Sequence, residues 1–124
     1  MRSVLVVNLP AVVELLISCV GDSLPALQVT TANSGRESLA LTRRKPFSID
    51  LALVNNDLID LTWREFTREL EAESPGIPVV VCLPSAKRDT AGRIERLGHR
   101  VLWMPVQAAG LRDVVLRYLS PEVA

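Results

Sequence analysis

The sequence predicts an α/β fold: a doubly wound parallel sheet of about five strands, in the order 2-1-3-4-5, with helices on both faces. Three observations carry that expectation. Short apolar runs alternate five times with longer segments of helical character, and no repeat or low-complexity stretch interrupts them. Strand candidates such as Val4-Leu5-Val6-Val7 and Ile77-Pro78-Val79-Val80-Val81-Cys82-Leu83 are continuous rather than alternating, as strands buried on both faces are. The last segment places Leu111, Val114, Val115, Tyr118 and Leu119 at i, i+3, i+4, i+7 and i+8, one apolar helical stripe. Right-handed βα crossovers then put helices on both sides of the sheet.

The elements follow in order. Val4 to Val7 forms the first strand and stops at Asn8-Leu9-Pro10, with Pro10 opening a helix over Ala11 to about Val20. Val12, Val13, Leu15, Leu16 and Ile17 make that helix apolar on most faces, which predicts heavy burial. Gly21-Asp22-Ser23 closes it. Leu27 to Thr31 is a weaker second strand. Ser34 caps a helix reaching about Lys45, whose late cations Arg43, Arg44 and Lys45 suit the helix dipole. A central strand runs over roughly Ile49 to Val54. Thr62 and Glu65 form a Thr-x-x-Glu capping box for a third helix, which ends before Pro75-Gly76. The fourth strand covers Ile77 to Leu83, Ser85 or a neighbour opens a helix to Leu97, and Gly98 terminates it. Val101 to Met104 is the fifth strand, ending at Pro105.

At 124 residues the chain reads as one domain, 1–124, with Ser120-Pro121 placed where a linker to a further domain would begin. Lys plus Arg equals Asp plus Glu at 14 each, which gives no overall field favouring nucleic acid or membrane. Basic residues nevertheless gather late, with Lys87, Arg88, Arg93, Arg96, Arg100, Arg112 and Arg117 against Asp89, Glu95 and Asp113. A solvated helical face accounts for that bias without direct nucleic-acid binding. Cys19 and Cys82 have neither disulfide nor metal spacing and read as buried thiols of a cytoplasmic protein. The apolar run after Arg2 is broken by Asn8, Pro10 and Glu14, which argues against a signal peptide or a membrane span.

In open α/β sheets, chemistry gathers at the carboxyl ends of the strands. The polar loop Asn55-Asn56-Asp57-Leu58-Ile59-Asp60 sits at such an end. With Asn8-Leu9 after the first strand, Glu65-Phe66 in the third helix, Ile77-Pro78-Val79-Val80, Leu97-Gly98 and Met104-Pro105, nearly the whole chain resembles a receiver domain of the bacterial response-regulator family, a flavodoxin-like fold. The resemblance places Asn55 on the phosphoacceptor aspartate and Asn8-Leu9 on the paired acids. Met104 falls on the lysine, and Leu83 or Pro84 on the hydroxyl at the end of the fourth strand. Ile59 takes the usual loop proline and Trp63 the usual glycine. The resemblance also implies a cis Met104-Pro105 bond.

Phosphoryl transfer to such a site needs a carboxylate nucleophile and Mg²⁺ held by hard anionic oxygens. Those positions hold two amides, a leucine and a methionine here. The expectation is therefore a degenerate, pseudo-receiver domain, with no catalysis, no cofactor and no metal. Asp57 and Asp60 read as solvated acids that bias the turn, and His99 as a lone turn histidine. What the resemblance leaves is a protein–protein role on the face of the fourth helix, fifth strand and fifth helix, where Arg93, Arg96, Trp103, Arg112 and Arg117 would meet a partner or a second copy. A different class of function, a small-molecule sensor, follows if Leu9, Leu83 and Met104 make the cleft apolar. A flavodoxin-type cofactor site is disfavoured because the loops lack the Gly, Ser and Thr donors that hold a phosphate.

Overall fold

Hydrophobic burial on two sides of one sheet organises the chain. The computed structural model describes residues 2–20, 27–44 and 49–119. Strands β1 (Arg2–Val7), β2 (Leu27–Ala32), β3 (Leu51–Asn55), β4 (Val79–Pro84) and β5 (Arg100–Met104) alternate with helices α1 (Ala11–Val20), α2 (Gly35–Thr42), α3 (Trp63–Glu73), α4 (Arg88–Arg96) and α5 (Ala108–Leu119). The strands pair in parallel in the order β2-β1-β3-β4-β5, the predicted flavodoxin-like topology. The expected closing turn Gly21-Asp22-Ser23, Lys45, Ser120-Pro121 and the side chain of Cys19 lie outside the described residues.

Successive strand residues point to opposite faces, which divides the core in two. Val4, Val6, Leu51, Leu53, Val80, Cys82 and Leu102 pack beneath α1 and α5, meeting Val13, Ile17, Leu111, Val114, Val115 and Leu119. Leu5, Val7, Ala52, Val54, Val79, Val81 and Leu83 pack on the other side against Leu39, Phe66, Leu70, Ala91 and Ile94. Phe66 is fully buried and contributes on the order of 1.5–3 kcal/mol by that burial alone. Burial of the Cys82 thiol pushes its pKa up to about 12, so it is a packing group rather than a reactive one.

Several sequence expectations shift when packing is seen. The first helix is not heavily buried: Val13 and Ile17 are enclosed, but Val12 is 51% and Leu15 65% exposed. Among the described residues, α1 packs chiefly on α5 and on the sheet at β2. The third strand starts at Leu51 rather than Ile49, because Asp50 is used differently. Its carboxylate accepts from the Ser3 amide (2.8 Å) and its own amide donates to the Ser3 carbonyl (2.9 Å). Strand β4 starts at Val79 rather than Ile77, since Pro78 has no N–H for the ladder; its carbonyl still accepts from Ala52 (3.0 Å). Helix α2 stops at Thr42, short of Lys45, with Arg43 at its C-cap. The Arg43 guanidinium reaches across to Glu73 (3.1 Å) and Glu69 (3.7 Å) on α3 instead of serving the α2 dipole.

Terminal signals were read correctly where the chemistry is local. Ser34 caps α2, and Thr62 and Glu65 make the reciprocal capping box of α3. The fourth helix begins as a short 3₁₀ turn over Ser85–Lys87, becomes α-helical at Arg88 and ends at Arg96, with Leu97 at its C-cap. Gly98 follows with φ of +89°, a left-handed backbone that glycine adopts without strain.

Candidate functional site

Four strand ends converge on the predicted site. The β1–α1 loop supplies Asn8, the β3–α3 loop runs from Asn56 to Thr62, and Pro84 and Met104 close β4 and β5 side by side in register. The Met104-Pro105 peptide is cis. An open cleft of about 750 Å³ lies there, lined on one side by Asn55, Asp57, Ile59 and Trp63 and on the other by Pro84, Lys87, Thr90 and Met104.

Both asparagines are consumed in holding loops together. The Asn55 side-chain amide donates to the Asn8 carbonyl (3.0 Å), and its carbonyl Oδ1 accepts from the Asp57 amide (3.0 Å). The Asn8 amide in turn donates to the Asp57 carbonyl (3.0 Å), while the Asn8 backbone N–H reaches the Ala32 carbonyl (2.8 Å). Asn8 sits at φ +54°, in the left-handed region where asparagine is among the few tolerated side-chain-bearing residues. The result is a closed circuit, Asn8 to Asp57 to Asn55 and back to Asn8. It joins the two loops that follow β1 and β3.

The loop beyond it has its own anchor. Asp60 bridges to α2, where its two carboxylate oxygens accept from the backbone N–H groups of Gly35 (3.0 Å) and Arg36 (2.9 Å). These are first-turn donors that no intrahelical carbonyl can serve. Partial burial pulls the Asp60 carboxyl upward, but the hydrogen bonds from Arg36 and Gly35 outweigh it and hold the group below its ordinary 3.8. Gly35 makes the approach possible: a β-carbon there would come within 2.8 Å of Leu61 Cδ1. Glu65, bonded by the Thr62 amide and hydroxyl, is likewise held below its ordinary range. Asp60 is thus no solvated turn acid, as the sequence reading had it. Its signal, an acid whose partner lies 25 residues away, is invisible to local patterns.

The structure brings together Asn8, Asn55, Pro84 and Met104 at the strand ends, but not the rest of the expected apolar lining. Leu83 is fully buried in the core against α3 and α4, and Leu9 packs onto the core beneath α1 and α5. Of Leu83 and Pro84, the two residues expected at the end of the fourth strand, Pro84 lines the cleft. Nor is the cleft free of charge, since Asp57, Asp60, Glu65 and Lys87 all border it. This arrangement does not fit Mg²⁺. The amide oxygen of Asn55 is already engaged, and no group of three His, Cys, Asp or Glu side chains among the described residues is placed to ligate a cation.

On the α4–β5–α5 side, Arg93, Arg96, Arg112 and Arg117 are exposed. Trp103 is 44% exposed at the sheet edge rather than a core aromatic. His99 lies half-buried in the turn before β5, and burial lowers its pKa from the ordinary 6.5 against the opposing pull of Glu71. No described helix is long and apolar enough to cross a membrane.

No protein-family model matches the chain, and no curated protein matches it. Solved structures do. A response regulator receiver domain protein from Clostridium thermocellum superposes with a TM-score of 0.78 at 21% identity, covering 96% of this chain and 94% of that one. The non-phosphorylated HemR receiver domain from Leptospira biflexa gives 0.78 at 17% identity over 100% and 98%. The chemotaxis response regulator CheY4 of Vibrio cholerae gives 0.76 at 20% identity over 96% and 99%. At such identities the likeness is one of architecture, and it agrees with the strand order and the convergent loops: this chain has the fold of the response-regulator receiver domains.

Proposed function

We propose that the chain is a pseudo-receiver: a signal-transduction domain that works by protein–protein interaction, independently of aspartate phosphorylation. It is not an enzyme, and its place is the cytoplasm. The observation that carries this reading is the amide circuit. At the phosphoacceptor position the side chain is not merely uncharged; both ends of it are already hydrogen-bonded, to Asn8 and to Asp57. A nucleophile would need a free carboxylate oxygen there and a metal beside it. What remains usable is the outer surface of α4, β5 and α5, whose exposed arginines and tryptophan are the residue types that anchor protein interfaces. Leu9 and Leu83 pack against the core rather than lining the cleft, and Asp57, Asp60, Glu65 and Lys87 border it beside Ile59, Trp63 and Met104, which speaks for the interaction module over an apolar ligand site.

Incubation with acetyl phosphate and Mg²⁺, followed by intact-mass measurement, tests the reading. The expected result is no phosphate adduct, in the wild type or in Asn55→Asp. A stable adduct on the wild type overturns it.

A further inference from the structure

The face of α4 and β5 carries a specific chemistry. Arg88 and Arg96 lie two turns apart on α4, with Gly92 between them. A methyl at Gly92 would sit 3.4 Å from Nη2 of Arg96, so that guanidinium lies back along the helix toward Arg88. Beside them, Arg88, Ser85 and the exposed Trp103 line a surface hollow of about 450 Å³. Among the described residues, neither Arg88, Arg93 nor Arg96 makes an ion pair; the bridges present belong to Arg43. Guanidinium groups that outnumber Asp89 and Glu95 on this helix, and pair with neither, stand next to a half-exposed indole.

Resting on the reading of this domain as an interaction module, we infer that its partner presents an acidic segment with an apolar side chain: carboxylates for Arg88 and Arg96, and the apolar group for the hollow beside Trp103. Arginine pairs with carboxylates through two parallel hydrogen bonds, and tryptophan supplies the desolvated anchor. A second copy of this chain is a poorer occupant. A two-fold contact repeats the same patch on both sides, so one centred on the Arg88–Gly92–Arg96 stripe sets cation against cation. Nucleic acid is poorer too, because a duplex brings no apolar side chain for the hollow beside Trp103, and the chain as a whole carries no net charge to draw a phosphate backbone.

The test uses fluorescence anisotropy with a labelled amphipathic peptide of glutamate and leucine, its glutamine counterpart, and a labelled DNA duplex. The acidic peptide is expected to bind the wild-type chain, and the glutamine peptide at least tenfold more weakly. Trp103→Ala and the double change Arg88→Glu, Arg96→Glu are each expected to weaken acidic-peptide binding at least tenfold, with an unchanged urea midpoint showing that the fold is intact. Equal binding of the two peptides, no effect of charge reversal, tighter binding of the duplex, or no binding below about 1 mM overturns the inference. Sedimentation gives a further arm. A dimer dispersed by Trp103→Ala would overturn the acidic partner yet leave the interaction module standing, whereas a phosphate adduct in the mass measurement strikes the module itself.

Discussion

The loops after β1 and β3 and the outer face of α4–β5 handle polar groups in opposite ways. In the loops, the side chains of Asn8, Asn55 and Asp60 find their partners inside the chain: Asn8 on Asp57, Asn55 on Asn8 and Asp57, and Asp60 on the start of α2. On the outer face, guanidinium groups are exposed and make no ion pair among the described residues, beside a tryptophan that a core would ordinarily claim. A hydrogen bond satisfied internally stabilises the fold and leaves nothing for a ligand. One left unsatisfied at the surface costs little in water and stays available. The difference separates a region turned into scaffold from a region open to interaction, and it can be attacked by mutation from either side.

The largest effect should come from restoring the acids. In Asn8→Asp with Asn55→Asp, carboxylate oxygens replace two N–H donors and face the carbonyls of Asp57 and Asn8. Losing the bonds and setting acceptor against acceptor should cost about 1–3 kcal/mol in total, at roughly 0.5–1.5 kcal/mol for each of these partly exposed hydrogen bonds. Urea unfolding at pH 7 measures this. An unchanged or higher midpoint would show that the amides are not structural and would erase the contrast between the two regions.

Asp60→Ala should come next. Removing the acceptor of the Gly35 and Arg36 amides takes away a helix cap, a loss of about 1 kcal/mol. The effect has a pH signature. The folded-state pKa of Asp60 lies below its ordinary 3.8, so its contribution is complete above that value and fades as the pH falls through the folded pKa. Wild type and Asp60→Ala should therefore differ in urea midpoint at pH 7 and converge in strong acid. A difference that persists at the lowest pH at which the wild type folds would refute the carboxylate's role.

How far the sequence spoke depended on the range of the interaction. Capping by Ser34 and by Thr62 with Glu65, the stripe of α5 and the Gly98 stop are interactions within one or two turns, and their spacing announces them. The sheet order followed because continuous apolar runs leave a parallel sheet few alternatives. The loop of α2 onto Asp60 and the circuit of Asn8, Asn55 and Asp57 join segments 24 to 49 residues apart, and no local pattern encodes such a meeting. Burial was misjudged for the same reason. Val12 and Leu15 are apolar by type but face outward, because among the described residues α1 buries only the side that meets α5 and the sheet. Leu83 was assigned to the cleft by position, yet strand alternation turns it into the core.

A smaller effect is expected on the other side of the comparison. Arg93→Ala, Arg112→Ala and Arg117→Ala remove exposed side chains that make no ion pair among the described residues, and each should shift stability by no more than about 0.5 kcal/mol. Thermal or urea unfolding decides it. A loss above that bound would mean that the cations hold the fold together, and the face could no longer be described as available.

The smallest effect concerns Mg²⁺. A ligand that binds only the native state stabilises it by RT ln(1 + [L]/Kd), so the gain vanishes when Kd far exceeds the concentration used. Mg²⁺ demands octahedral oxygen donors and gives up its water reluctantly, usually for carboxylates. At the ends of β1 and β3 it would meet Asn8, Leu9 and Asn55, with Oδ1 of Asn55 already accepting from Asp57. Asp60 is committed to α2, and Glu65 to its capping box. Asp57 is the remaining carboxylate bordering the cleft, and alone it offers at most two oxygens. Melting curves with and without millimolar Mg²⁺, at matched ionic strength, should therefore coincide. A reproducible rise of several degrees in the wild type would show that Asp57 has recruited a metal. If that rise disappeared in Asp57→Asn, the cleft, and not the α4–β5 face, would be where this domain meets its ligand.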